Sequence, residues 1–354
     1  MQNFLSGIEK NMIWWLAVVT AAGLSFSRFG GGLEFSALIC LLAALVMIYP
    51  SLLPLNFSEL RQVGKNYRVI LITIFFNFLV SPILAYYLGL WFLSDYPVLK
   101  LGLILISILP GGGMVTSWAL KTKAHMGAII GIVLANLLVA VFVSPFVLSL
   151  TLNKVRDELV TSSPAANTCV VEKVSNGAAS CLFGDAGLIS PLKIAFPIVV
   201  IIVFPLVLAY FTRQLIEKKK GGEYLLKKRD LFKNISNAGM LIVIFVLMSL
   251  RANAIIFEDW RLLIEAIIPL LIYYLVLSSL AVIAFKYNPT DIGRAFSWGI
   301  YLRYITLALG LATSLIYQDE SLSVMVVIIM LSYFIQIPLS FLLARYMNAK
   351  NLNN

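Results

Sequence analysis

Two short stretches of this sequence interrupt apolar segments, one with helix-breaking residues and the other with a residue that binds anions. The first is the PGGG segment at residues 110–113, and the second is centred on Arg303. Glycine costs a helix about 1 kcal/mol and proline about 3 kcal/mol relative to alanine, so the first stretch predicts a helix break. Arginine grips carboxylates and oxyanions through paired N–H donors. We therefore expect these stretches to form a binding site for a small anion. The candidate substrate-binding residues are Pro110, Gly111, Gly112, Gly113, Thr116, Ser117, Arg303, Tyr304 and Thr306.

The composition predicts that a membrane surrounds this site. The 354-residue chain is 60% hydrophobic and 12% charged, whereas a soluble protein carries about 25% charged residues. A helix needs about 20 apolar residues to span a bilayer, and stretches near that length recur along the chain. They lack the alternation of barrel strands, so we expect an all-α polytopic membrane protein with ten transmembrane helices. The predicted spans are 11–27, 34–54, 68–94, 98–120, 124–152, 190–213, 235–251, 262–286, 292–317 and 321–346.

The net charge of +10 is also consistent with a polytopic membrane protein. If the N-terminus is cytoplasmic, most lysine and arginine residues fall in cytoplasmic segments, as the positive-inside rule requires. We therefore expect a multi-pass protein of the cytoplasmic (inner) membrane with both termini in the cytoplasm. The positive charge is then explained by the membrane topology, and no nucleic-acid partner is expected. The expected partners are the lipid bilayer and a small anionic substrate, in a monomer or a homodimer.

The predicted outer loop at residues 154–189 divides the spans into five and five, and a basic segment at residues 213–234 follows the first span of the second half. An odd number per half makes the halves enter the membrane from opposite sides, which is typical of secondary transporters with inverted repeats. Pro145 follows Pro110 at the same separation as Pro338 follows Arg303, which supports the repeat. The predicted units are a first repeat (1–153), an extracytoplasmic loop (154–189), the first helix of the second repeat (190–212), a basic cytoplasmic linker (213–234) and the rest of the second repeat (235–354).

Other side chains exclude several classes of protein. One histidine, three scattered cysteines and no intramembrane carboxylate pair leave no acid–base pair, triad or metal cluster, so no enzyme and no metal site are expected. Nucleotide-binding signatures are absent, which argues against a primary pump. Cys169 and Cys181 share the predicted outer loop and form either a disulfide or two free thiols. A non-transporting receptor or sensor is the alternative class to a carrier.

Several motifs give the chain a resemblance to a known superfamily. In order and spacing, the chain resembles the superfamily that contains the bile acid:sodium symporters and the arsenite efflux permeases. The stretches that carry the resemblance are MIYP (47–50), FSEL (57–60), NFLVSP (77–82), LSDYP with LGLILI (93–106), PGGGMVTSW (110–118) and LRYITLALGLA (302–312).

The resemblance implies two inverted five-helix repeats, with the broken fourth and ninth helices crossing in a core domain. It also implies alternating access and, in the symporters, sodium held by carboxylate, amide and hydroxyl oxygens. Asn77 matches an ion-binding amide, while Ser297 stands in place of a glutamate and Tyr301 in place of a glutamine. Asn136 offers a further side-chain oxygen. Asn77, Asn136, Ser297 and Tyr301 are thus the candidate ion-binding residues, with Na⁺ as the coupling ion considered and no other cofactor expected.

The chain departs from the permease branch at two positions. The permeases' thiolate-forming cysteine is expected beside the fourth-helix break, where this chain has Pro110 and Gly111, and Thr306 replaces an acidic residue. We expect a secondary active transporter that moves a small organic or inorganic anion by alternating access; the alternative is an arsenite or antimonite efflux carrier. Arg303 either contacts the anion or occupies the place of a sodium ion. Trp118 and Trp298 flank the breaks and either wall the cavity or pack in the core.

Overall fold

The computed structural model describes residues 12–30, 49–50, 53, 67–162, 191–220, 224, 228–249, 261–316 and 324–349. In these ranges the chain is helical and forms no β-strand. The helices are α1 (Met12–Phe29), α2 (Tyr67–Phe75), the π-helix π1 (Phe76–Val80), α3 (Ser81–Phe92), α4 (Pro97–Ser107), α5 (Gly113–Lys121), α6 (Met126–Ser162), α7 (Pro191–Lys220), α8 (Arg229–Met248), α9 (Arg261–Tyr287), α10 (Asp291–Tyr301), α11 (Ile305–Ile316) and α12 (Met325–Ala349).

Within the described ranges, four helical segments are long and apolar enough to cross a bilayer. They are Tyr67–Phe92, Met126–Lys154, Leu263–Tyr287 and Met325–Ala349. Large apolar side chains on their surfaces, such as Leu71, Phe142 and Phe341, are exposed. A soluble protein rarely leaves so many large apolar side chains in contact with water, whereas lipid accepts them without cost. The all-helical, multi-pass membrane class predicted from composition is therefore confirmed.

Several helices extend past the predicted spans. α6 continues to Ser162, α7 continues to Lys220, and α8 begins at Arg229, so helical turns reach into the predicted outer loop and basic linker. Lysine, arginine and glutamate have good helix propensity, so a helix that starts in the apolar region continues into charged sequence at low cost. Cys169 and Cys181 lie outside the described residues, as does most of the predicted span 34–54.

The two interrupted pairs, α4–α5 and α10–α11, lie at the centre of the packing. α9 packs against α10 and α12, and α12 also packs along α4. Gly102 permits the close contact between α4 and α12, because a Cβ there would lie 2.9 Å from the Met325 carbonyl oxygen. α2, π1 and α6 cover the other side of the interrupted pairs. Both breaks are thus enclosed by continuous helices.

Candidate functional site

The first break lies between α4 and α5 at residues 108–112. Pro110 has no backbone N–H, and three glycines follow it, so a regular helix is costly here. The chain leaves the helix at Ile108, whose N–H still donates to the Ile104 carbonyl, and resumes a helix at Gly113. Local sequence alone accounts for this break.

The second break lies between α10 and α11 at residues 302–304, and it contains no proline or glycine. Leu302 is extended, with φ −75° and ψ 137°. The Arg303 N–H donates to Gln336 Oε1 at 3.0 Å, and Gln336 Nε2 donates back to the Arg303 carbonyl oxygen at 3.4 Å. The Gln336 side chain on α12 thus replaces the helical partners that Arg303 gives up.

The two breaks cross in contact with each other. Pro110 and Arg303 form an isolated antiparallel bridge, and the Tyr304 N–H donates to the Leu109 carbonyl oxygen at 3.1 Å. A Cβ at Gly111 would lie 2.9 Å from the Leu302 carbonyl oxygen, and one at Gly112 would overlap the Tyr304 ring. The glycines therefore provide the space in which the second break approaches the first.

The Arg303 side chain is buried at this crossing, with 2% of its surface exposed. Its Nη1 donates to Asn77 Oδ1 at 3.0 Å, and its Nη2 donates to the Ile300 carbonyl oxygen at 2.9 Å. Among the described residues, the Nε–H has no hydrogen-bond partner. In the parts of the chain that the structure describes, Arg303 forms no ion pair with an Asp or Glu side chain. The guanidinium charge is thus bound only by neutral oxygens.

Asn77 reaches this guanidinium from π1. Pro82 lacks an N–H, so the preceding turn cannot complete the α-helical pattern, and the chain widens into a π-helix in which the Ser81 N–H donates to the Phe76 carbonyl oxygen. Asn77 is fully buried there. Its Nδ2 donates to Asn136 Oδ1 at 3.2 Å and to the Gly299 carbonyl oxygen at 3.0 Å. Asn77 and Asn136 therefore lie in one polar chain with Arg303.

The other candidate ion-binding residues do not contact the guanidinium. Ser297 Oγ donates at 2.9 Å to the carbonyl oxygens of Ala281 and Gly293. The Tyr301 hydroxyl donates to the Gln336 carbonyl oxygen at 2.9 Å. Both residues are fully buried in α10, where these bonds join it to α9 and α12.

The remaining candidate substrate residues border the crossing. Thr116 is buried and Ser117 half-buried near the start of α5, while Tyr304 is buried and Thr306 half-buried where α11 begins. Each hydroxyl thus lies in the first turns after a break. Helix N-termini carry a partial positive charge, which favours an anion at these positions.

Stacked tryptophans join the two interrupted helices beside the crossing. The rings of Trp118 on α5 and Trp298 on α10 lie 5.5 Å apart and nearly parallel. Trp298 Nε1 donates to Thr122 Oγ1 at 2.8 Å, and the Lys121 ammonium lies 4.6 Å from the Trp118 ring centre. Both tryptophans are buried, so this cluster is a packing contact that holds α5 against α10.

Gln336 and Tyr273 were not among the candidates selected from the sequence. Gln336 hydrogen-bonds the Arg303 backbone at the second break. The Tyr273 hydroxyl bonds to Ser81 Oγ at 2.7 Å and faces Arg303. A glutamine inside an apolar span is a signal that sequence can supply, because a lipid-facing amide is costly. Tyr273 gives no such signal, since tyrosine is common in apolar helices.

Comparisons with known proteins agree with this architecture. Residues 41–174 match the model of the sodium bile acid symporter family. The arsenical-resistance protein Acr3 of Corynebacterium glutamicum is 24% identical over 305 residues, which cover 83% of this chain and 76% of the relative. The Acr3 protein of Alkaliphilus metalliredigens is 25% identical over 240 residues, which cover 63% of this chain and 57% of the relative.

The resemblance to the superfamily of bile acid:sodium symporters and arsenical-resistance permeases is confirmed by both kinds of match. Together with the apolar helices, the matches support a membrane transporter rather than an enzyme, and they do not favour a receptor role.

Proposed function

We propose that this protein is a secondary active transporter that moves a small anion by alternating access, with the anion bound at the crossing of the two breaks. The proposed architecture has ten transmembrane helices in two inverted five-helix repeats, with both termini on the cytoplasmic side of the inner membrane. The interrupted pairs α4–α5 and α10–α11 are the fourth helices of the two repeats.

The buried charge of Arg303 is the observation that carries the proposal. A charged side chain in the middle of a span costs at least about 2.5–3.5 kcal/mol. Neutral oxygens from Asn77 and Ile300 solvate the guanidinium but do not neutralise it. A bound anion supplies the missing negative charge, and its attraction is strong in a buried site.

Unused polar groups near the crossing are suited to an anion with several oxygens. The Arg303 Nε–H is buried without a hydrogen-bond partner among the described residues, and the buried hydroxyls of Tyr274 and Tyr333 lie near the hydroxyls of Ser332 and Thr306 without forming a well-aligned hydrogen bond. Tyr274 lies beside Tyr301, with ring centres 6.3 Å apart, and Tyr333 lies near Tyr304 and Thr306. Buried polar groups are rarely unpaired, so a carboxylate or inorganic oxyanion is the substrate chemistry that these donors support best.

Arsenite efflux is the second candidate, because both relatives are arsenical-resistance proteins. Arsenite binding through sulfur requires a thiolate. At the first break this chain has Pro110 and Gly111, and its three cysteines are Cys40, Cys169 and Cys181. Efflux through this crossing would therefore need oxygen and nitrogen ligands in place of sulfur.

Transport into proteoliposomes that contain the purified full-length protein tests the proposal. Vesicles preloaded with a small carboxylate or oxyanion should accumulate the same labelled anion by counterflow. Empty vesicles and vesicles with the Arg303→Gln variant should not. Counterflow of arsenite alone, unaffected by the Arg303 substitution, would favour the second candidate.

A further inference from the structure

The oxygens around Arg303 are of the kind that bind a hard cation. Asn77 Oδ1 lies 3.0 Å from Nη1, and the Ile300 carbonyl oxygen lies 2.9 Å from Nη2. Amide and carbonyl oxygens are typical ligands of hard metal cations. The guanidinium thus lies within hydrogen-bonding distance of both oxygens.

The hydrogen bonds of Asn77 fix which end of its amide faces Arg303. The amide nitrogen donates to Asn136 Oδ1 and to the Gly299 carbonyl oxygen. Asn136 is itself held by a bond from its Nδ2 to the Ile132 carbonyl oxygen at 2.7 Å. A flipped Asn77 would set its oxygen against two acceptors and its N–H groups against a cation, so the observed orientation is the stable one.

The superfamily resemblance implies a sodium ion, and the residues here do not fit one. The resemblance expects a glutamate where Ser297 lies, but Ser297 Oγ donates to two backbone carbonyl oxygens within the helix packing. Around Arg303, the described residues supply no carboxylate in ion-pair contact. A sodium ion that took Asn77 Oδ1 as a ligand would lie against a permanent positive charge, and like charges this close repel strongly in a buried site.

From this mismatch, we infer that the Arg303 guanidinium takes the place of a coupling cation, so that the carrier works without sodium. The inference rests on the proposed carrier function. A coupling ion binds on one side of the membrane and is released on the other, whereas Arg303 is part of the chain and its backbone is bonded to the Gln336 side chain. The positive charge therefore stays with the crossing throughout the cycle, and a sodium gradient does not contribute to transport.

Thermal unfolding of the purified protein in NaCl and in KCl, at equal ionic strength, tests the inference without any transport assay. The wild type and Arg303→Lys should unfold at the same temperature in both salts. Arg303→Gln leaves the oxygens around Asn77 without a cation, so it should gain about 2–4 °C in NaCl over KCl. Arg345→Gln, at an exposed position on α12, is the control and should behave like the wild type.

Selective stabilisation of the wild type by sodium would overturn the inference, and this measurement stands even if Arg303→Gln does not fold. Failure of a folded Arg303→Gln protein to gain a sodium-selective shift would also overturn it. Anion counterflow in sodium-free buffer gives the functional readout: the wild-type rate should be unchanged, and a strict sodium requirement would contradict the inference. If no anion is transported at all, the carrier proposal fails while the salt comparison still reports on the guanidinium.

Discussion

The two breaks meet at one crossing but are formed in different ways. The first, at residues 108–112, is encoded locally by Pro110 and the glycines that follow it. The second, at residues 302–304, depends on Gln336 and on the Leu109 carbonyl oxygen, both supplied from elsewhere in the fold. The first contributes space and the second contributes charge. The charge lies at the crossing because the glycines let the two breaks approach each other closely.

The largest expected effect comes from removing the charge of the second break. Arg303→Gln deletes the guanidinium, and each charge-assisted hydrogen bond that it would donate to the anion contributes about 1.5–3 kcal/mol. We expect anion counterflow to fall by about 100-fold or more. Initial rates in proteoliposomes at matched protein density measure this effect.

Arg345→Gln is the matched control for charge removal and should keep wild-type counterflow, because Arg345 is exposed on α12. Counterflow by Arg303→Gln within a few-fold of the wild type would show that the second break does not supply the charge that binds the anion.

A smaller effect is expected from filling the space of the first break. In Gly111→Ala the new Cβ would overlap the Val115 side chain and would lie 2.9 Å from the Leu302 carbonyl oxygen, which is backbone. Backbone yields less readily than a side chain, so we expect a loss of about 1–3 kcal/mol in stability and about a 10-fold loss of counterflow. Thermal unfolding and initial rates of counterflow measure the two quantities.

Gly112→Ala separates backbone contact from side-chain contact. Its Cβ would overlap the Tyr304 ring and meets no backbone atom among its three nearest neighbours. Gly112→Ala should therefore be milder than Gly111→Ala, and it should cost less stability in a Tyr304→Ala background than in the wild type. Equal losses in both glycine variants, without rescue, would mean that close approach at the crossing does not explain the glycines.

The smallest effect is expected beside the crossing, where the two stacked tryptophans join α5 to α10. Trp298→Phe loses the hydrogen bond to Thr122 Oγ1 and part of the stack on Trp118, which together contribute about 1–2 kcal/mol. Stability should fall by that amount while counterflow changes less than about threefold. Unfolding of Trp298→Phe, Thr122→Val and the double variant gives the coupling between the two residues. Strictly additive losses would show that the hydrogen bond contributes nothing.

The different origins of the two breaks explain which features of the site can be predicted from the sequence and which cannot. The low helix propensity of residues 110–113 is enough to predict the first break. Arg303 can also be identified from the sequence, because it is a charged residue inside a predicted span. The role of Gln336 is not visible, because a side chain that replaces helical hydrogen bonds is recognised only when α12 is packed beside α10. The orientation of Asn77 likewise depends on Asn136 and Gly299, which come from two different helices.

Ligand-dependent thermal stability of the full-length protein tests the central claim most directly, namely that the buried guanidinium of Arg303 recognises an anion. Wild type and Arg303→Gln are compared with short carboxylates, inorganic oxyanions, bile acids and arsenite at constant ionic strength. We predict that at least one anion raises the unfolding temperature of the wild type by several degrees and leaves Arg303→Gln unchanged. Equal stabilisation of both proteins, or stabilisation of the wild type by arsenite alone, would contradict the account.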